Sequence, residues 1–172
     1  MFDWFKPKMA PEGPVTFDFE TEIEGPASEI YALVDFADPR NAKRQMGHSV
    51  ERGEGAPDTF ILIMKQMPDA EFVLSVTDAT APSSFGYRCD PRPQQGRLQW
   101  SAERYTIEDR GNGKCFVTLL VEAQFDEPMP QDEYAQHVGM MAAGCDIALE
   151  KLKLHAEQGF DAVLEYERTQ FG

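Results

Sequence analysis

The sequence predicts an α+β domain, a curved antiparallel sheet wrapped around one long C-terminal helix. Three observations predict it. Apolar and polar residues alternate with period two along run after run between Val15 and Phe125, the pattern of half-buried strands. Clusters of Gly, Pro, Asn and Asp punctuate those runs at short intervals. After Pro128-Met129-Pro130 the period changes to three and four, which is one amphipathic helix from about 131 to 157. A sheet with one apolar face and a helix with one apolar stripe bury both surfaces by packing together. The helix therefore lies in the concave face.

The first strand runs from Val15 to Ile23, where Val15, Phe17, Phe19, Thr21 and Ile23 alternate with Thr16, Asp18, Glu20 and Glu22. Gly25-Pro26 breaks it. Pro26 suits a first helical turn and Glu29 suits the positive end of a helix dipole. With the apolar stripe of Ile30, Leu33 and Val34, they predict a helix over about 26–35. Asp38-Pro39 opens a second short helix through Met46, which Gly47 ends.

Six strands follow, over 48–52, 59–67, 71–77, 85–90, 98–108 and 117–125. The turns between them include Pro91 to Gly96 and the hairpin signal Arg110-Gly111-Asn112-Gly113. In the strand from Leu98, the residues Leu98, Trp100 and Ala102 alternate with Gln99, Ser101 and Glu103, and alternation puts Arg104 on the face of Trp100. In the long helix Tyr134, Val138, Met141, Cys145, Leu149 and Leu152 share a face. Asp132 and Glu133 stand at its start, and Lys151 and Lys153 near its end, as the dipole favours. Gly159 stops it, and Phe160, Val163, Leu164 and Tyr166 restart a short helix. The element order is β-α-α-β6-α, with a domain over 14–158, an N-terminal tail over 1–13 and a C-terminal tail over 159–172.

The length of 172 residues suits one domain, and 42% hydrophobic residues are enough for a core. A net charge of −14 repels phosphate backbones and anionic lipid surfaces, so neither nucleic acid nor stable membrane insertion is expected. Cys89, Cys115 and Cys145 are odd in number and widely spaced, and read as small buried hydrophobes in a reducing cytoplasm. The start of the chain does not read as a signal peptide, and the longest apolar run, Phe60 to Met64, is too short for a bilayer span. A cytoplasmic protein is expected. Phe2, Trp4 and Phe5 are expected to dock back on the domain or on a second subunit, which leaves a homodimer open.

One stretch carries a family likeness. From Phe17 to Asp38 a strand is followed by Gly25-Pro26-Ala27-Ser28-Glu29-Ile30-Tyr31-Ala32-Leu33-Val34-Asp35, then by Ala37-Asp38-Pro39. This stretch and the element order over about 14–158 resemble the helix-grip fold of the SRPBCC superfamily. That superfamily includes START lipid-transfer domains, Bet v 1 allergens and bacterial polyketide cyclase/dehydrase relatives. The resemblance implies a cavity between sheet and long helix. Relatives use it for lipids, polyketides, quinones or hormones; some are enzymes, and many only carry a ligand.

Small and adaptable residues in the middle of the long helix, Met141, Gly144, Cys145 and Ala148, would leave room for such a cavity. Phe72, Tyr87, Trp100, Leu119 and Val121 would face it from the sheet. Arg104, if it points inward, would anchor an acidic head group. His137 would stand at the mouth, and so would His48. Each has a plainer reading: close packing for the helix and the aromatics, a cross-strand ion pair for Arg104, a surface position for the histidines. No metal-ligand spacing, nucleophile–base pair or phosphate-cradling loop is visible, so no metal, cofactor or catalytic residue is expected. The expected function is non-catalytic carriage of a small apolar or amphipathic molecule. A cyclase or dehydratase using the same cavity is the alternative, and an interaction module with a collapsed cavity is a third.

Overall fold

A computed structural model describes residues 6–56 and 58–172. Phe2, Trp4 and Phe5 lie outside the described residues. The elements are β1 (Val15–Glu24), α1 (Ala27–Val34), α2 (Ala42–Gln45), β2 (Ser49–Arg52), β3 (Thr59–Ile63), β4 (Glu71–Thr80), β5 (Ser84–Arg92), β6 (Leu98–Gly111), β7 (Lys114–Phe125), α3 (Gln131–Gln158) and α4 (Phe160–Phe171). The seven strands form one antiparallel sheet in the order β1-β7-β6-β5-β4-β3-β2. Each neighbour from β2 to β7 is also the neighbour in sequence, because short turns permit only local antiparallel pairing. The β6–β7 turn needs left-handed backbone at Gly111, Asn112 and Gly113, which these residue types tolerate.

The inner face is set by β7, where Cys115, Val117, Leu119, Val121 and Ala123 are fully buried. Through the cross-strand register this face continues to Ser101, Glu103, Tyr105 and Ile107 of β6, then to Phe85, Tyr87 and Cys89 of β5. Helix α3 packs over it with Cys145, Leu149, Leu152 and His155 buried, and α1 adds Ile30, Tyr31, Leu33 and Val34.

Two details depart from the sequence reading. The register of β6 slips by one residue between Leu98 and Trp100. Leu98 opposes Phe125 on the inner face, yet Trp100 opposes the outward Gln124. From there on the odd residues face inward, so the even-numbered assignment for Trp100 and Arg104 is corrected. The second helix is shorter, because residues 38–41 form a turn in which the Asp38 carboxylate accepts from the Arg40 backbone and guanidinium. Residues 160–171 form the short helix read from Phe160, Val163, Leu164 and Tyr166, and it is seated on α3 with Val163 at 2% exposure. In the N-terminal tail, the Ala10 amide donates to the Met129 carbonyl and the Gln131 amide to the Lys8 carbonyl, pinning residues 8–10 to the entry of α3. No helix among the described residues is long and apolar enough to cross a membrane.

Candidate functional site

A cavity of about 110 Å³ opens where α1, α2 and the loop between them meet the C-terminal half of α3 and the inner sheet face. Its apolar wall is Leu33, Val34, Phe36, Met46, Leu152 and Val163. Tyr87 and Tyr105 form its floor, with Ala148 opposite. Asn41, Lys43, His48, Lys151 and His155 bring polar groups to it.

The crossing segment is held by a few directed bonds. Asn41, 1% exposed, donates from Nδ2 to the Leu33 carbonyl at 3.2 Å. It also caps α2 by accepting from the Lys43 amide at 3.0 Å. Arg44 donates twice to the Phe36 carbonyl, at 3.2 and 2.8 Å. The ring of Phe36 stands edge-on to Tyr87 at 4.9 Å and to Phe85 at 5.6 Å, fixing the segment to the sheet. Gln45 donates from Nε2 to the Arg40 carbonyl, so its Oε1 is the atom turned to His155 Nε2, 3.2 Å away. His155 must then be the Nε2–H tautomer, and burial lowers its affinity for a second proton.

Polar groups also penetrate the floor. The Tyr87 hydroxyl donates to Glu103 Oε2 at 2.6 Å. Burial raises the Glu103 carboxyl above the usual glutamate range, while the Tyr87 bond and the Lys43 charge pull it down. Lys43 retains exposed surface, yet desolvation lowers its ammonium below the ordinary lysine value, and the Lys151 charge adds to this. His48 is lowered by desolvation and by the charges of Lys43 and Lys65. Its Nδ1 accepts from the Lys65 amide at 3.2 Å, which leaves Nε2–H as the donor of the neutral ring. Cys89 and Cys145 are pushed up to about 12, burial being the larger cause and Glu103 a second, so neither thiol is a ready nucleophile. Among the described residues no cluster of His, Cys, Asp or Glu could hold a metal ion.

Of the residues expected from sequence to line a cavity, Tyr87 and Ala148 do so, and His48, expected at the mouth, joins them. Phe72, Leu119, Val121, Met141 and Cys145 pack in the core, which closes the middle of the sheet and displaces the free volume toward α1 and α2. Trp100 is on the convex face, under the Arg88 guanidinium at 4.4 Å. Arg104 is exposed there too and pairs with Asp78 at 2.8 Å. The sequence expectation that these two face the helix fails because of the β6 register slip. His137 lies at the other end of α3, beside Phe125 and 3.6 Å from Glu133. Gly144 is exposed, and a Cβ built there meets nothing within 4 Å, so it is not a buried lining residue. Sequence reasoning missed Lys43, Lys151, His155 and Glu103 as interior-facing groups. One signal could have found Glu103. Tyr105 and Ile107 are out of phase with Leu98 and Trp100, and two apolar phases in one strand betray a bulge.

No protein-family model matches the chain, and no curated protein matches it. Solved structures do. The chain is similar to Ara h 8.0201 over 92% of its own length and 100% of that chain, with 16% identity and a TM-score of 0.57. It is similar to a START superfamily protein from Mycobacterium smegmatis over 80% of its length and 96% of that chain, at 15% identity and a TM-score of 0.54. The third likeness is to the di-domain ARO/CYC protein BexL from the BE-7585A biosynthetic pathway. It covers 86% of this chain and 51% of that one, at 18% identity and a TM-score of 0.59.

Proposed function

On the helix-grip fold that this chain shares with START-like and Bet v 1-like proteins, we propose a domain that binds a small apolar or amphipathic molecule in the cavity beneath α1 and α2. The observation that carries this reading is the cavity wall, six apolar side chains with a few placed polar groups. That mixture is typical of small-molecule sites. The neighbouring folds support it, since a START protein and an ARO/CYC protein share the architecture. The free volume of about 110 Å³ limits what is enclosed. A cavity of roughly 150 Å³ accommodates one benzene ring, so the buried part of the ligand is about one ring or a short acyl segment.

The test uses neutral one-ring probes, para-cresol and toluene, followed by ligand-observed NMR. The wild-type protein is expected to bind them. Ala148→Phe, which places a ring in the cavity, is expected to weaken binding roughly tenfold or more while the chain still melts cooperatively. Unchanged binding by a folded Ala148→Phe variant would show that the site is elsewhere.

A second reading, an enzyme of cyclase or dehydratase type, is favoured by one observation: Tyr87, Tyr105, His48 and His155 converge on the same cavity. Arg104, the cation expected to join them, lies outside it.

A further inference from the structure

The cavity carries an unbalanced charge. Two lysines line it. Lys151 is paired with Glu167 of α4. The Lys43 ammonium makes no ion pair and donates no hydrogen bond among the described residues. Its charged surroundings come from every element packed about it. They are Lys151 on α3, Glu103 on β6, Glu167 on α4 and Cys89 on β5. His48 and Lys65 stand nearby on the chain that leaves α2. Glu103, the nearest acid of the floor, is engaged by Tyr87 and forms no ion pair with Lys43. A second polar donor lines the same cavity. Tyr105 is 8% exposed and lines the cavity, and its hydroxyl has no hydrogen-bond partner among the described residues.

Lys43 stays accessible and the Tyr105 hydroxyl has no partner among the described residues, so both donors are available to a group bound in the cavity. One ligand group answers both. We infer that the cavity recognises a monoanionic head, a carboxylate carried on an aromatic ring or short acyl chain, held by the Lys43 ammonium and the Tyr105 hydroxyl. The inference rests on the binding reading above and adds the ligand's charge to it. The single charge follows from the balance of the wall. Lys151 is already neutralised, and the two histidines are held toward their neutral forms by desolvation. The Nε2–H of His48 is a third donor available to the same head. A carboxylate accepts from several donors at once, and its hydrogen bonds to a charged donor are among the strongest available.

The experiment is titration calorimetry of the full chain with phenylacetate, its neutral isostere phenylacetamide, the dianion benzyl phosphate and para-cresol. Wild type is expected to bind phenylacetate roughly tenfold or more tighter than phenylacetamide. Lys43→Met is expected to abolish that preference, and para-cresol, which it still binds, reports that the cavity is present. Tyr105→Phe is expected to reduce it part of the way, with both variants checked by thermal melting. Equal affinity for the acid and the amide, or a preference that survives Lys43→Met, overturns the inference while para-cresol binding keeps the cavity reading. Benzyl phosphate binding far more tightly than phenylacetate overturns the single-charge assignment. If none of the four probes binds, the cavity reading falls with the inference.

Discussion

Glu103 is an acid turned into a protein interior, and its position has a measurable sign. A carboxyl whose affinity for a proton is raised by folding holds that proton more tightly in the folded state than in the unfolded chain. Its contribution to stability is therefore complete below the unfolded value, about 4.3, and is lost as pH rises through the folded value. Glu103→Gln keeps an acceptor for the Tyr87 hydroxyl and cannot ionise. It is expected to melt higher than wild type at pH 7 and to converge with it by about pH 4. Melting curves across that range check this. A variant that melts lower at pH 7 would mean that attraction between ionised Glu103 and Lys43 outweighs the burial penalty. Little of this was visible in the sequence. Apolar residues announce their burial by pattern, whereas Glu103, Lys43 and Lys151 have the composition of solvated surface. Only the fold shows that the cavity receives the two lysines and that Glu103 lies on the inner face beneath Tyr87.

At the scale of elements the sequence was more informative, because period is a property of segments. The strand β7, the long helix α3 and the Gly-Asn-Gly turn are all plain from alternation, stripe and punctuation. The failure in β6 is instructive, since the strand and its start were right and the face was wrong. A single extra residue at Gln99 lets Leu98 and Ser101 both face inward. This yields a deletion test. Removing Gln99 regularises the strand and keeps Glu103 and Tyr105 inside, at the cost of its bond to Asp126. Removing Ala102 instead turns Trp100 inward and Ser101 outward, forcing an indole into the place of a serine. The Gln99 deletion is expected to fold and bind para-cresol, and the Ala102 deletion to lose cooperative melting. Equal behaviour of the two deletions would contradict the register. At the other end of the chain, α4 could not be weighed from sequence alone. Its apolar residues are few, and its importance lies in Val163 closing the cavity and Glu167 neutralising Lys151.

For the molecule as a whole, a net charge of −14 surrounds a cavity whose unpaired group is a cation. The two fields act over different distances. The summed acidic field repels an approaching anion at long range, and salt screens it within about 8 Å at 0.15 M. A direct contact with Lys43 is far shorter than the screening length, so salt weakens it less than it weakens the long-range field. Affinity for phenylacetate is therefore expected to rise a few-fold between about 0.01 and 0.15 M salt, with phenylacetamide unaffected. Calorimetry at the two salt concentrations decides it, and a fall in phenylacetate affinity would show that the surface field does not reach the cavity. The architecture that makes this possible was the most legible level of all. Seven alternating runs and one amphipathic rod admit few ways to hide their apolar faces.

The strand order places β1 and β2, neighbours in sequence, at opposite borders of the sheet. The chain between them, carrying α1 and α2, must span the bowl from rim to rim and so becomes the roof over the hollow. That roof shares no interstrand ladder with the walls, and side-chain ties such as Phe36 against Tyr87 and Gln45 to His155 hold it in place. It can lift without unzipping a single strand pair. What resists lifting is the apolar contact of Ile30, Tyr31, Leu33 and Phe36 with the core, so access to the hollow is set by that seal rather than by the ladders of the walls.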